Sequence, residues 1–187
     1  MSKALFLDRD GVLILDKHYL SDPKDVEVVP GVAEALREAK ALGYKLFLFT
    51  NQSGISRGYY TWEQVHACNS RMLELMALEE SIFTELCIAP EAPGDQIVYR
   101  KPSPKFILEM MEAHGLERSD CWMVGDKISD IEAGLLGGIN AAWVSTGKPE
   151  CDRIKAKSEQ ETIKCFADLR EFVSWLASVS AARGEVV

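Results

Sequence analysis

Asp8 and Asp10 stand two residues apart at the end of a short apolar run, in the segment Leu5-Phe6-Leu7-Asp8-Arg9-Asp10-Gly11. Extended chain has a side-chain period of two, so both carboxylates can enter one cleft while Arg9 points away. Adjacent carboxylates repel, and one of them is pushed toward its protonated form unless a cation lies between them. Asp126, in Gly125-Asp126-Lys127, ends another apolar run. One Asp in such a place is usually a turn former or helix cap, but three at strand ends point to a site. Three carboxylates with water suit Mg²⁺, which prefers octahedral oxygen donors. Thr50 and Asn51 add a hydroxyl, an amide and backbone N–H groups, and Lys101 adds a positive charge. Such a set can cradle a phosphoryl group as charge develops on it. The chemistry is nucleophilic: Asp8 attacks phosphorus, and an aspartyl-phosphate splits one displacement into two. Asp10 protonates the leaving alcohol and then takes a proton from the attacking water. Mg²⁺ in this place offsets the repulsion between an anionic nucleophile and an anionic ester. Asp126 holds the metal, and Lys127 beside it can meet a substrate anion.

The elements that position these residues follow from periodicity. Short apolar runs at 4–7, 44–49, 82–89, 121–124 and 139–144 read as strands, with a sixth at 162–166. Between them, helices are expected at 31–42, 61–78, 103–114, 129–136 and 168–178. Thr61 with Gln64 three residues later forms a capping box. Ser103 caps the third helix, with Pro104 at its first position and Gly115 past its end. Strands alternating with helices predict an α/β fold: a doubly wound, Rossmann-like parallel sheet with helices on both faces. Ligands in such sheets bind beyond the carboxyl ends of the strands, where Asp8, Thr50, Lys101 and Asp126 all fall.

The chain has 187 residues, the size of one domain. Residues 1–180 are expected to form it, and 181–187 to fray. Hydrophobic residues make up 47%, enough for a core without metal staples. The net charge of -8 disfavours a nucleic-acid or anionic-membrane surface, because both need a positive field. No apolar stretch approaches the ~20 residues that span a bilayer, and the N-terminus carries no signal pattern, so a cytoplasmic protein is expected. Cys68, Cys87, Cys121, Cys151 and Cys165 are odd in number and scattered, as in a reducing compartment.

Four segments together carry a resemblance: Asp8-Arg9-Asp10-Gly11-Val12, Phe49-Thr50-Asn51-Gln52, Arg100-Lys101-Pro102 and Val124-Gly125-Asp126 with Asp130. In this order, over residues 3 to about 148, they resemble the four motifs of the haloacid dehalogenase-like superfamily. The resemblance implies Asp8 as nucleophile, Asp10 as acid and base, and Thr50 and Lys101 as phosphoryl stabilisers. It implies a Mg²⁺ site made by Asp8, the backbone carbonyl of Asp10, and Asp126. An acid at position 10 selects phosphatase over dehalogenase chemistry, since halide leaves without a proton. The longer runs resemble the group of heptose-bisphosphate and histidinol phosphatases, which implies Asn51, Gln52, Ser53, Arg100, Lys127, Asp16 and Tyr19 as substrate contacts.

Two departures narrow the expectation. That group carries a zinc loop of three Cys and one His before Arg-Lys-Pro. Here only Cys87 remains, and Ala89, Ile97 and Tyr99 cannot bind the metal, so no zinc is expected. Val12 and Ile14 are apolar where heptose phosphatases commonly carry Thr and Asn. Segments 12–30 and 52–99 are too short for a cap domain, so the site is expected to be uncapped, with a flap at 12–30 and a loop at 90–99 selecting substrate. The expected substrate is a small phosphate monoester such as a sugar (bis)phosphate, turned over by a monomer. Histidinol phosphate, a 3′-phosphorylated nucleic-acid end and a catalytically degraded binding protein are the alternatives. His18, His66 and His114 have no metal spacing, and the two helical ones are expected to face solvent. Trp62, Trp122, Trp143 and Trp175 are expected to pack, Tyr59 and Tyr60 to border the site or pack a turn, and Gly147-Lys148-Pro149 to form a structural turn.

Overall fold

The computed structural model describes residues 2–146, 163–182 and 184. Six strands form one sheet: β1 Ser2–Leu7, β2 Tyr44–Asn51, β3 Glu85–Ala89, β4 Leu116–Gly125, β5 Asn140–Val144 and β6 Lys164–Phe166. Five helices accompany them: α1 Val32–Ala41, α2 Trp62–Leu75, α3 Lys105–His114, α4 Ile128–Leu136 and α5 Leu169–Ala182. The strand order is β3-β2-β1-β4-β5-β6 and every pairing is parallel. The order reverses direction beside β1, so a crevice opens where β1 and β4 lie side by side.

Alternation along β1 shows why both faces are covered. Leu5 and Leu7 join a core with Leu46, Leu48 and Val124, sealed by α1, α2 and α5. Ala4 and Phe6 point the other way, into a second core with Phe47, Phe49 and Met123 that α3 and Ala133 of α4 complete. Strands buried on both faces are continuous apolar runs, as parallel sheets require. Helix α1 buries Val32, Ala35, Leu36 and Ala39, one stripe at helical spacing. Truncating fully buried Leu36 to Ala would cost about 2–5 kcal/mol.

Several boundaries differ from the sequence reading for physical reasons. β4 reaches back to Leu116, but its register against β1 slips between Ser2 and Ala4, and only the stretch from Cys121 onward is regular. The polar residues 117–120 in the slipped part hide the strand from a search for apolar runs. β3 starts at Glu85, because Glu80–Ile82 forms a 3-10 turn. In α3 the cap position falls on Pro104. Ser103 stands one residue further out, where its Oγ donates to Val98 O at 2.9 Å. The α2 capping box is present as expected. α5 continues to Ala182, so residues 181–182 are helical. The expected turn at Gly147-Lys148-Pro149, Cys151, Thr162 and the tail residues other than 181, 182 and 184 lie outside the described residues. Cys68, Cys87 and Cys121 are buried free thiols, and Cys165 is exposed. No helix among the described residues is long and apolar enough to cross a membrane.

No cap domain interrupts the described chain. Segment 12–30 is a flap held by an antiparallel bridge between Ile14 and Val28 and a 3-10 turn at Pro23–Asp25. Segment 52–99 contains only α2, a second 3-10 turn, β3 and loops.

Candidate active site

The carboxyl end of the sheet gathers the predicted residues at two depths. Asp8 follows β1 directly, and its N–H still donates to Val124 O of β4 at 3.0 Å. Its side chain is buried and accepts at Oδ1 from Arg9 N (2.8 Å) and Lys101 Nζ (3.0 Å). Both contacts fall on one oxygen, Oδ1. Lys101 Nζ also touches Asp130 Oδ1 at 2.6 Å and donates to Phe49 O at 2.8 Å. An ammonium has three protons, and these three acceptors fix all of them. Burial lowers the Lys101 pKa, but the carboxylates of Asp130 and Asp8 outweigh it and hold the ammonium charged.

Asp126 arrives at the end of β4 beside Asp8. Gly11, at φ 88°, lets it come close: a Cβ there would lie 2.2 Å from Asp126 Oδ2. Gly125 does the same for Asp130, whose Cβ would stand 2.2 Å from one on residue 125. Asp130 is fully buried and its Oδ2 accepts from Lys127 N at 3.0 Å. Burial above all, with Asp8 and Asp126 nearby, pushes the Asp130 carboxyl up to about 7 against the opposing pull of Lys101. One oxygen from each of Asp8, Asp126 and Asp130 lies within 4.8 Å of the others. Every donor here is a carboxylate oxygen, the set a hard divalent cation such as Mg²⁺ takes. Three carboxylates against one buried ammonium leave negative charge that a cation would neutralise, so the residues present fit the metal.

Asp10 stands above this floor and lines a cleft of about 260 Å³. Arg9 does not point away from it. The strand has ended at Leu7 and the chain turns, so period-two alternation no longer applies. The Arg9 side chain is 1% exposed and forks onto Asp10, with Nε to Oδ2 at 3.1 Å and Nη2 to Oδ1 at 3.2 Å. Its Nη1 donates to Asn69 Oδ1 of α2 at 2.9 Å. Thr50 is fully buried at the end of β2. Asn51 clamps the Lys101 backbone reciprocally: Lys101 N donates to its Oδ1 (2.9 Å) and its Nδ2 donates to Lys101 O (3.2 Å). Gln52, Ser53, Asp16, Tyr19, Arg100 and Lys127 all line the cleft.

The rim is held by weaker devices. Lys127 is 47% exposed and pairs with Asp16 Oδ2 at 3.2 Å. Burial lowers its pKa, but Asp8, Asp126, Asp16 and Asp130 reverse the sign and raise it. His18 and Tyr19 both take positive φ, 50° and 59°, a conformation costly for residues with a Cβ. Tyr19 packs edge-on against Tyr59 at 4.8 Å, so the flap is pinned to the loop after β2. Arg100 donates from Nη1 to Glu91 O at 2.8 Å. Glu91 itself is buried, and its Oε1 accepts from Val98 N (2.9 Å) and Tyr99 N (2.7 Å). Burial would raise its pKa, but the backbone amides around it, Tyr99 foremost, bring it below the usual range. In this loop Cys87 is buried, and that burial drives its thiol up to about 12.

The sequence reading assigned no role to Asp130, Arg9, Asn69 or Glu91. Only Asp130 carried a signal, its fixed spacing from Asp126. The bland readings hold in part. Trp122 and Trp143 are core, whereas Trp62 is exposed. His66 is exposed, but His114 is half-buried and meets Glu85 Oε1 at 3.0 Å.

Known proteins resemble this chain in sequence and fold. The HAD-hydrolase-like family matches residues 98–172. A D-glycero-β-D-manno-heptose-1,7-bisphosphate 7-phosphatase of Helicobacter pylori strain J99 is 36% identical over 94% of this chain and 97% of its own. The enzyme of that name from Pasteurella multocida is 34% identical, over 95% of this chain and all of its own. The crystal structure of a D,D-heptose 1,7-bisphosphate phosphatase from B. bronchiseptica, complexed with magnesium and phosphate, superposes with a TM-score of 0.81. It covers 94% of this chain and 98% of its own, and at 24% identity the likeness is one of fold. With whole-length relatives at this identity, the chain belongs to the HAD-like family of phosphatases, phosphoric monoester hydrolases built on this sheet.

Proposed function

We propose that this chain is a Mg²⁺-dependent phosphatase that removes the 7-phosphate of D-glycero-D-manno-heptose 1,7-bisphosphate through an aspartyl-phosphate. The observation that carries the reading is Lys101 Nζ, fixed between Asp8 and Asp130 and buried behind a cleft whose lining carries Asp10, Arg100 and Lys127. A buried ammonium behind the cleft and two cations on its lining suit a substrate with two phosphates. The names of the whole-length relatives support the sugar.

Asp8 Oδ2 attacks phosphorus, and the bond to the C7 oxygen breaks. Asp10 gives that oxygen its proton, then takes one from the water that hydrolyses the acyl phosphate. Lys101, through its buried positive charge, and Thr50 stabilise the phosphoryl oxygens. Asp8, Asp126 and the Asp10 carbonyl would hold Mg²⁺, with Asp130 behind them. When bound, the metal supplies charge neutralisation between nucleophile and ester. Asn51 fixes Lys101, and Ser53, Arg100, Lys127, Asp16 and Tyr19 meet the substrate at the rim. Residues 1–180 act as one catalytic domain, a cytoplasmic monomer that carries no zinc, since Glu91 rather than a metal ties loop 90–99.

Phosphate release from a panel of sugar mono- and bisphosphates, with Mg²⁺ or with EDTA, tests the reading. The heptose bisphosphate should lead the panel, and EDTA should abolish turnover. Asp8→Asn should retain the fold by circular dichroism and lose activity at least ~10³-fold. Activity within tenfold of wild type in that variant would remove Asp8 as nucleophile. Zinc found in equimolar amount after purification would overturn the loop assignment.

A further inference from the structure

Beneath the cleft a chain of side-chain hydrogen bonds runs from a loop to the site. Tyr60 is buried under the 54–58 turn, and its hydroxyl donates to Gln52 Oε1 at 2.6 Å. Gln52 Nε2 donates twice, to Asp10 Oδ2 at 2.8 Å and to Thr50 Oγ1 at 2.9 Å. Both N–H protons and one lone pair of this buried amide are therefore used within the protein. An amide can be turned over with little change in shape, which would set Oε1 against the Asp10 carboxylate. By donating to Oε1, the Tyr60 hydroxyl supports the orientation that keeps Nε2 toward Asp10. Desolvation raises the Tyr60 pKa, so that proton stays in place at neutral pH. The ring's seat also needs Gly54, because a Cβ there would lie 2.3 Å from Tyr60 Cε1.

We infer that Tyr60, acting through Gln52, is a positioning residue for Asp10: it fixes the sense of the amide that holds the Asp10 carboxyl in register with the leaving group. Asp10 Oδ2 receives Arg9 Nε and Gln52 Nε2, and Arg9 Nη2 lies 3.1 Å from it as well. Asp10 Oδ1 has the one longer contact, Arg9 Nη2 at 3.2 Å. Oδ1 is therefore the oxygen with fewer donors against it. Without the Tyr60 hydroxyl the amide loses its preferred sense and Asp10 loses its fixed register. The inference rests on the proposed acid role of Asp10 and extends it to a residue outside the four motifs.

The experiment compares kcat/KM for two esters. The heptose bisphosphate leaves as a primary alcohol and needs the acid, whereas p-nitrophenyl phosphate leaves as a phenolate and needs it little. Tyr60→Phe removes one oxygen atom and should lower kcat/KM about 3- to 10-fold on the sugar ester and less than about twofold on the aryl ester, a fraction of the effect of a full acid. Gln52→Ala should show the same contrast more strongly, and the double variant should be no worse than Gln52→Ala alone, because the hydroxyl acts through the amide. Equal losses on both esters, or additive losses in the double variant, would overturn the inference. Gln52→Ala reads the same chain from its middle should Tyr60→Phe fold poorly. Asp10→Asn separates the two levels of the argument. If it shows no contrast between esters, the acid role falls and Tyr60 with it. If it shows the contrast and Tyr60→Phe does not, the Tyr60 assignment alone falls.

Discussion

The floor and the rim of the cleft are built on different physics. On the floor, Asp8, Asp126 and Asp130 hang from strand ends or the first turn of a helix, Lys101 from the loop before α3, and all four are buried. Each contact there is short and charged, and Lys101 has an acceptor for each of its protons. At the rim, Asp16, Tyr19, Arg100 and Lys127 lie outside the strands and are held by partly exposed polar contacts, aromatic edges and one buried carboxylate, Glu91. Reacting groups must stay within a few tenths of an ångström, which a sheet edge provides. Substrate choice tolerates and uses the variation that loops permit. The floor is therefore expected to be brittle and the rim adjustable.

Lys101→Met tests the brittle half hardest. It leaves Asp8 and Asp130 facing each other with no cation between them, and removing one partner of a buried pair costs about 3–5 kcal/mol. Turnover should fall about 10²- to 10³-fold as well. Denaturant unfolding and phosphate release check both, and a variant with a tenth of wild-type activity would make the floor less demanding than argued.

Asp130 gives the floor a pH signature. Its folded pKa of about 7 lies above the ordinary 3.8, so the folded state keeps a proton that the unfolded chain releases. Stability from this group is therefore present at low pH and is lost as pH rises between about 4 and 7. In EDTA the melting temperature should fall over that window more steeply for wild type than for Asp130→Asn. Mg²⁺ should reduce the fall, because a cation stabilises the carboxylates without a proton. Identical slopes for the two proteins would remove Asp130 as the source.

Glu91→Ala should give the smallest effect. Val98 and Tyr99 lose their acceptor, but both lie near water, so stability should drop by only about 1 kcal/mol. KM for the bisphosphate should rise about 3- to 10-fold as Arg100 loses its fixed loop, with kcat within about twofold. A fall in kcat as large as that of Lys101→Met would erase the distinction between floor and rim.

Much of the floor was legible because its signals are local. Asp8 and Asp10 at a strand end, Thr50 and Asn51 at the next, and Lys101 and Asp126 after later elements all lie where an alternating pattern stops. The strand–helix alternation itself is a matter of period and caps, such as Thr61 with Gln64. Arg9 was misread because alternation was carried past the end of the strand at Leu7, into a turn that folds its side chain back onto Asp10. The start of β4 was hidden by polar residues in a stretch where pairing is irregular. Glu91 looked like one acid in a proline-bearing loop, and nothing in its neighbours reveals that Val98 and Tyr99 turn their N–H groups onto it.

The sequence by itself determined the kind of sheet and the kind of chemistry. Apolar period and capping act over a few residues, and the side chains proposed to react sit at the boundaries those patterns define. Only the tertiary structure decided who meets whom. The reversal of strand order beside β1 brings Val124 against Asp8 N–H, and with it Asp126 and Asp130, while Lys101 returns from a loop to lie between two of the three acids. The bond from Tyr60 to Gln52 depends on a ring seated over Gly54. Such meetings are set by packing across the whole sheet, which no local period encodes.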